Sequence, residues 1–65
     1  MNIKAHREQK HMTQLELARN VEVTQSTISQ YETGAREPSL VILKKLSELF
    51  NCTIDELVKG GEENG

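Results

Sequence analysis

Four hydroxyl side chains divide this chain before any apolar pattern is considered. Thr13, Thr24, Ser39 and Thr53 each stand just ahead of a run of helix-compatible residues, and two of them have a glutamate three places on, giving Thr13-x-x-Glu16 and Thr53-x-x-Glu56. In such a box the threonine oxygen and the glutamate carboxylate reciprocally satisfy backbone donors that the first helical turn leaves free. The stops match the starts: Gly34 and Asn51 suit the left-handed position at a helix end, and Pro38 sits in the loop between Gly34 and Ser39. This punctuation predicts an all-α chain of five short helices and no strands, over about 3–10, 14–20, 25–33, 40–50 and 54–58, as one domain of residues 1–59 with 60–65 as a flexible tail. The fourth helix has the densest apolar pattern, with Leu40, Leu43, Leu46 and Phe50 on one stripe, and the fifth carries Ile54 and Leu57.

At 65 residues the chain is close to the smallest size at which a core closes without staples, burying only about 60% of its unfolded surface. Cys52 is alone, so no internal disulfide is available, and Cys52, His6 and His11 form no metal-ligand cluster. No apolar run approaches the roughly 18 residues of a membrane span. The start, Met-Asn-Ile-Lys, lacks the apolar core of a signal peptide, so the expected location is cytoplasmic. No cofactor is expected, and no catalysis: acidic residues fall on capping positions, and the two histidines have no evident nucleophile to serve.

From Val23 to Tyr31 the chain runs nine residues without a charge, although 28% of its residues are charged. As a helix capped by Thr24, this stretch puts Thr27, Ile28 and Tyr31 on one face and Gln25, Ser26, Ser29, Gln30 and Thr33 on the other. A face meant only for water usually carries Lys and Glu. Glutamine instead offers a donor and an acceptor together, matching the N6 and N7 edge of adenine in a DNA major groove. The plain alternative is a solvated helix. Net charge, −2, argues against a polyanion as partner, but it is unevenly spread. Residues 1–47 hold seven Lys or Arg against five Glu, whereas 48–65 hold Lys59 against Glu48, Asp55, Glu56, Glu62 and Glu63, so the acid lies at one end.

Two short helices joined by a tight turn, the second with a neutral polar outer face, make a helix-turn-helix arrangement. Thr-Gln-x-Glu-Leu-Ala at 13–18, Val-Thr-Gln-Ser-Thr-Ile-Ser at 23–29, Tyr-Glu-x-Gly at 31–34 and Pro-Ser-Leu at 38–40 resemble the lambda-repressor and Cro type of helix-turn-helix domain, the XRE-like family, over about residues 3–58. The resemblance implies a five-helix repressor-type fold and sequence-specific binding of double-stranded DNA by a transcriptional regulator, a repressor or autoregulator of a bacterium or phage. It places Gln25, Ser26, Ser29 and Gln30 at base-reading positions, and Gln14, Thr33 and Arg36 where backbone phosphates are met; Lys4, near the start of helix 1, is read as a flanking phosphate contact, with a solvated lysine as the plain alternative. Ala18, Val23 and Ile28 are read as core residues that set the angle between helices 2 and 3.

Arg7 and Glu32 fall, by the same resemblance, at the positions of a pair that links helix 1 to the end of helix 3. The chain departs from the family at His11 and Glu22, where glycine is common and a left-handed backbone is implied. His6 stands at a core-facing position usually held by Leu or Ala, and Cys52 is read as a small buried hydrophobe. Val41, Ile42, Leu49 and Val58 lie off the helix 4 stripe and are candidates for a homodimer contact. One reading helix spans few base pairs, so the expected target is a near-palindromic operator with half-sites about 34 Å apart. A second class stays open: a protein-interaction module of the same fold, antitoxin-like or regulatory, that has little DNA contact. The negative net charge favours it, and the intact Gln25 to Gln30 face opposes it.

Overall fold

The four hydroxyl caps form as their spacing requires. In the computed structural model, which describes residues 1–59, five helices follow in order: α1 Ile3–Gln9, α2 Gln14–Val21, α3 Gln25–Thr33, α4 Leu40–Phe50 and α5 Ile54–Lys59. The expected tail at 60–65 lies outside the described residues. At both capping boxes the threonine N–H donates to the glutamate carboxylate at 2.9 Å, and the glutamate N–H donates to the threonine oxygen at 3.0 Å. Thr24 accepts from the Thr27 N–H at 3.1 Å, and Ser39 from the Ile42 N–H at 3.3 Å. Each such cap stabilises by about 1 kcal/mol, a substantial share in a domain of this size.

The exits are left-handed. Gly34 has φ 85°, Asn51 φ 57° and Glu22 φ 65°, and His11, in the α1–α2 turn, has φ 57°. Glycine takes this backbone freely, whereas a residue with a Cβ is strained by roughly 1–2 kcal/mol. Glu22 therefore closes α2 at a cost, and its carboxylate reaches across to the Lys45 ammonium of α4 at 2.9 Å. The hydrogen bond and charge of Lys45 hold that carboxyl below its ordinary range.

Ile3, Leu17, Ala18, Val21, Ile28, Tyr31, Leu46, Phe50 and Leu57 form one core to which every helix contributes, with Met12, Val23, Ile42, Leu43, Leu49 and Cys52 packed against it. Burying each large apolar side chain contributes about 1.5–3 kcal/mol. Leu40 corrects the expected stripe: it is 67% exposed, and Leu43, Leu46 and Phe50 carry the inward line without it. Leu40 is the first residue of α4, and helical side chains lean toward the N-terminus, so it projects past the stretch that packs. His6 is half-buried and stacks on Phe50, ring centroids 5.3 Å apart. Cys52 is half-buried, and burial together with the Glu56 charge pushes its thiol up, away from thiolate chemistry. Among the described residues no helix is long and apolar enough to cross a membrane, and no metal-binding cluster of His, Cys, Asp and Glu occurs.

Candidate nucleic-acid interface

α2 and α3 make the most extensive helix–helix contact in the fold. Their closeness rests on small and branched residues at the joint. Ala18 and Ile28 are fully buried, Val23 packs against the core, and the Val23 N–H donates to the Ala18 carbonyl at 3.0 Å, closing the turn after Glu22. The Glu22 N–H also donates to the Ala18 carbonyl, so two amides of the turn are satisfied locally, which helps fix how α3 leaves α2.

On α3, Ile28 and Tyr31 are buried and Thr27 is half-buried, as the inward face. Gln25, Ser26, Gln30 and Thr33 are exposed, and Ser29 is half-buried. The side-chain hydrogen bonds that stay within this helix and its cap belong to threonines. Thr24 and Thr27 share a bond at 2.9 Å, and the Thr33 hydroxyl donates to the Gln30 carbonyl at 3.3 Å and accepts from the Ala35 N–H at 3.4 Å. Among the described residues, none involves the side chains of Gln25, Ser26, Ser29 or Gln30. Four polar side chains therefore lie side by side with their donors and acceptors uncommitted within the chain. Thr33, expected at a phosphate, is exposed, with its hydroxyl bonded to the Gln30 carbonyl at the end of its own helix.

Behind that face, α1 grips the end of α3. The Arg7 guanidinium donates to the two Glu32 carboxylate oxygens, from Nε at 2.6 Å and from Nη2 at 3.2 Å, and from Nη1 to the Met12 carbonyl at 2.8 Å. Both side chains are nearly out of water, 11% and 5% exposed. Gln14, at the first turn of α2, joins them, its Nε2 donating to Glu32 Oε1 at 3.0 Å. One carboxylate thus ties α1, α2 and α3 together. Burial pushes the Glu32 carboxyl up, but the hydrogen bonds from Arg7 and Gln14 and the charges of Arg7 and Lys4 outweigh it and hold the group below its ordinary range. The same bond from Glu32, working against burial, raises Arg7.

Lys4 is exposed on α1, with its charge felt at Glu32, and Arg36 is exposed in the loop after α3, its backbone N–H donating to the Gln30 carbonyl at 3.3 Å. Of the four residues expected at a dimer contact, Val41 is 64% and Val58 37% exposed, whereas Ile42 and Leu49 are packed against the core. Leu40 adds to the exposed apolar set beside Val41. The Gln14 bond to Glu32 and the Glu22 bond to Lys45 had no signal in the sequence, since partners 18 and 23 residues apart share no local pattern.

A profile of the helix-turn-helix family matches residues 3–57. Similar proteins include the HTH-type transcriptional activator BcrR of Enterococcus faecalis, 42% identical over 82% of this chain and 26% of its own length. YqaE of Bacillus subtilis, described as an uncharacterized HTH-type transcriptional regulator, is 36% identical over 91% of this chain and 51% of its own length. A further HTH-type transcriptional regulator, from Archaeoglobus fulgidus, is 39% identical over 94% of this chain and 86% of its own length. The chain thus spans about a quarter of the first of these relatives and half of the second. No solved structure gives a significant match. With a matching profile over most of its length, and with the α2–α3 unit built as described, the chain belongs to the Cro/CI-type helix-turn-helix family of transcriptional regulators.

Proposed function

We propose that this chain is a sequence-specific, double-stranded-DNA-binding repressor that lays α3 in the major groove. The observation that carries the reading is the neutral, uncommitted set of exposed Gln25, Ser26 and Gln30 and half-buried Ser29 on a helix anchored from behind by Arg7 and Glu32. Gln25 and Gln30 each present a carboxamide able to pair bidentately with adenine, and Ser26 and Ser29 add hydroxyls that can donate or accept. Gln14, Arg36, Lys4 and the loop around Thr33 and Gly34 meet phosphates on either side, setting register without reading sequence. Repression needs nothing beyond occupancy, because a domain seated in the groove excludes other proteins from the same site. BcrR is named an activator, so the sign of control is a point for a reporter assay on the native promoter.

The domain measures 31 × 24 × 22 Å, too short to place two reading heads on successive turns of one DNA face about 34 Å apart. α3 itself, nine residues long, extends only about 14 Å along its axis. A two-fold homodimer on a near-palindromic operator supplies the missing length, with Val41 and Val58 the accessible members of the expected contact set and Ile42 and Leu49 supporting them from below. Selection of sites from random duplex DNA, followed by titration across salt, tests the whole reading. The expected result is a near-palindromic winner whose binding falls steeply with salt as counterions return to the phosphates. Equal, weak binding to every duplex would instead favour a protein-interaction module, and a 1:1 complex in sedimentation on the selected site would remove the dimer.

A further inference from the structure

Glu32 makes a contact that orientation of α3 does not require. Its carboxylate is filled on one side by Arg7, and Oε1 also accepts from Gln14 Nε2 at 3.0 Å. We infer that Glu32 is a positioning residue for phosphate contact, acting through the Gln14 carboxamide, in addition to its part in holding α3.

An ionised carboxylate can only accept, so Gln14 must turn its NH2 group, never its carbonyl, toward Glu32. A planar amide with one N–H so engaged has its second N–H and its Oε1 fixed in direction. The orientation an isolated glutamine would choose freely is therefore chosen by the buried carboxylate, and the entropy of ordering that side chain is lost on folding and not on DNA binding. Gln14 is also the first residue of α2, where the capping box engages the N–H groups of Thr13 and Glu16 while those of Gln14 and Leu15 have no partner within their own helix. An anion arriving there meets a prepared side-chain donor beside helix N–H groups. Placing a carboxylate so near a phosphate would ordinarily repel it. Here Arg7 neutralises Glu32, and the Lys4 charge acting on Glu32 offsets the Glu8 charge acting on Arg7, so the cluster carries no net negative charge to oppose an anion.

The inference rests on the DNA-binding reading, and a binding cycle separates the two. Wild type, Glu32→Gln, Gln14→Met and the double variant are titrated against the selected duplex and a scrambled one at fixed salt, with helical circular dichroism recorded for each. Gln14→Met and Glu32→Gln should each weaken both duplexes alike, by about tenfold or more, the worth of one hydrogen bond to a charged group. In the Gln14→Met background, Glu32→Gln should add less than about twofold, because the donor it positions is already gone. Additive losses, or an unaffected Gln14→Met, would overturn the inference while wild-type binding keeps the DNA reading intact. Loss of preference between the two duplexes in Glu32→Gln that persists undiminished in the Gln14→Met background would overturn it too, since that assigns the whole effect to a misplaced α3 and none to Gln14. Absence of salt-dependent binding by the wild type would remove the DNA reading and this inference with it. If Glu32→Gln proves unfolded, the Gln14 Nε2 protons of the wild type decide: one should exchange with water markedly more slowly than those of exposed Gln25, and equal rates would overturn the assignment.

Discussion

Removing Glu32 should cost this domain a third or more of its stability. A domain of 65 residues is expected to be stable by about 3–10 kcal/mol in total. Breaking a buried ion pair by deleting one partner costs about 3–5 kcal/mol, because the other charge is left without its counterion. The two side chains here are 11% and 5% exposed, near enough to the surface for some rehydration, which puts Glu32→Leu at the lower end, about 3 kcal/mol. Arg7→Met should cost about 1 kcal/mol more, since it also frees the Met12 carbonyl that Arg7 binds at 2.8 Å. The double variant, with an apolar pair in place of an ionic one, should lose less than the sum by about 2–3 kcal/mol. Urea melts followed by circular dichroism would measure this, run with a stabilising osmolyte so that the single variants retain a folded baseline. Additivity to within about 0.5 kcal/mol would refute the coupling, and with it the claim that this pair, and not the surrounding core alone, fixes α3 against α1.

Acid should weaken the fold through the same residue. The folded Glu32 carboxyl is held below its ordinary range, so its contribution is complete above about pH 5 and is lost as pH falls through the depressed value; Glu32→Gln should accordingly flatten the acid limb of a stability-against-pH curve, and an unchanged limb would show that other groups set it. At the end of α2, Glu22→Gly should melt about 1 kcal/mol higher than Glu22→Ala, because both lose the exposed Lys45 pair but only glycine relieves the left-handed backbone at φ 65°; equal melting would show the backbone there to be unstrained. In binding, Gln25→Ala should keep the fold and lose about 1–3 kcal/mol of preference for the selected site, while Arg36→Ala should weaken all sequences alike and lower the salt slope by about one. Normal site preference in Gln25→Ala would move the reading head elsewhere.

Local features were the legible ones. Caps, boxes and left-handed stops act over three or four residues, so Thr13, Thr24, Ser39, Thr53, Gly34 and Asn51 could be read directly, and each forms in the structure. The left-handed turns at His11 and Glu22 were different. Neither residue type asks for that backbone, and only the family resemblance pointed to it. Periodicity misplaced Leu40 because a helical stripe records which side faces the core and not where the neighbouring helix ends. It also put Ile42 and Leu49 outside the packed set, although the inward arc of α4 is wide enough to take them in. The Arg7 link to Glu32 spans 25 residues and came from resemblance alone, and the third partner, Gln14, could come only from geometry.

An acidic protein can bind a polyanion if its charges are sorted by place, and α3 keeps its outer face free of them. α3 contains one charged residue, Glu32, and that charge is turned inward and matched by Arg7. The acids of the C-terminal part, Glu48, Asp55 and Glu56, sit on α4 and α5, where Asp55 also lies 3.5 Å from the Lys59 ammonium. In the proposed complex, base recognition falls to neutral side chains whose pairing energy depends on geometry and little on ionic strength. Phosphate attraction in that proposed complex falls to Lys4, Arg36 and the start of α2, which salt screens. The two tasks meet in one carboxylate. Glu32 bonds both Arg7 of α1 and Gln14 of α2 from the end of α3, so in the proposed complex an error in its placement would disturb register and reading together.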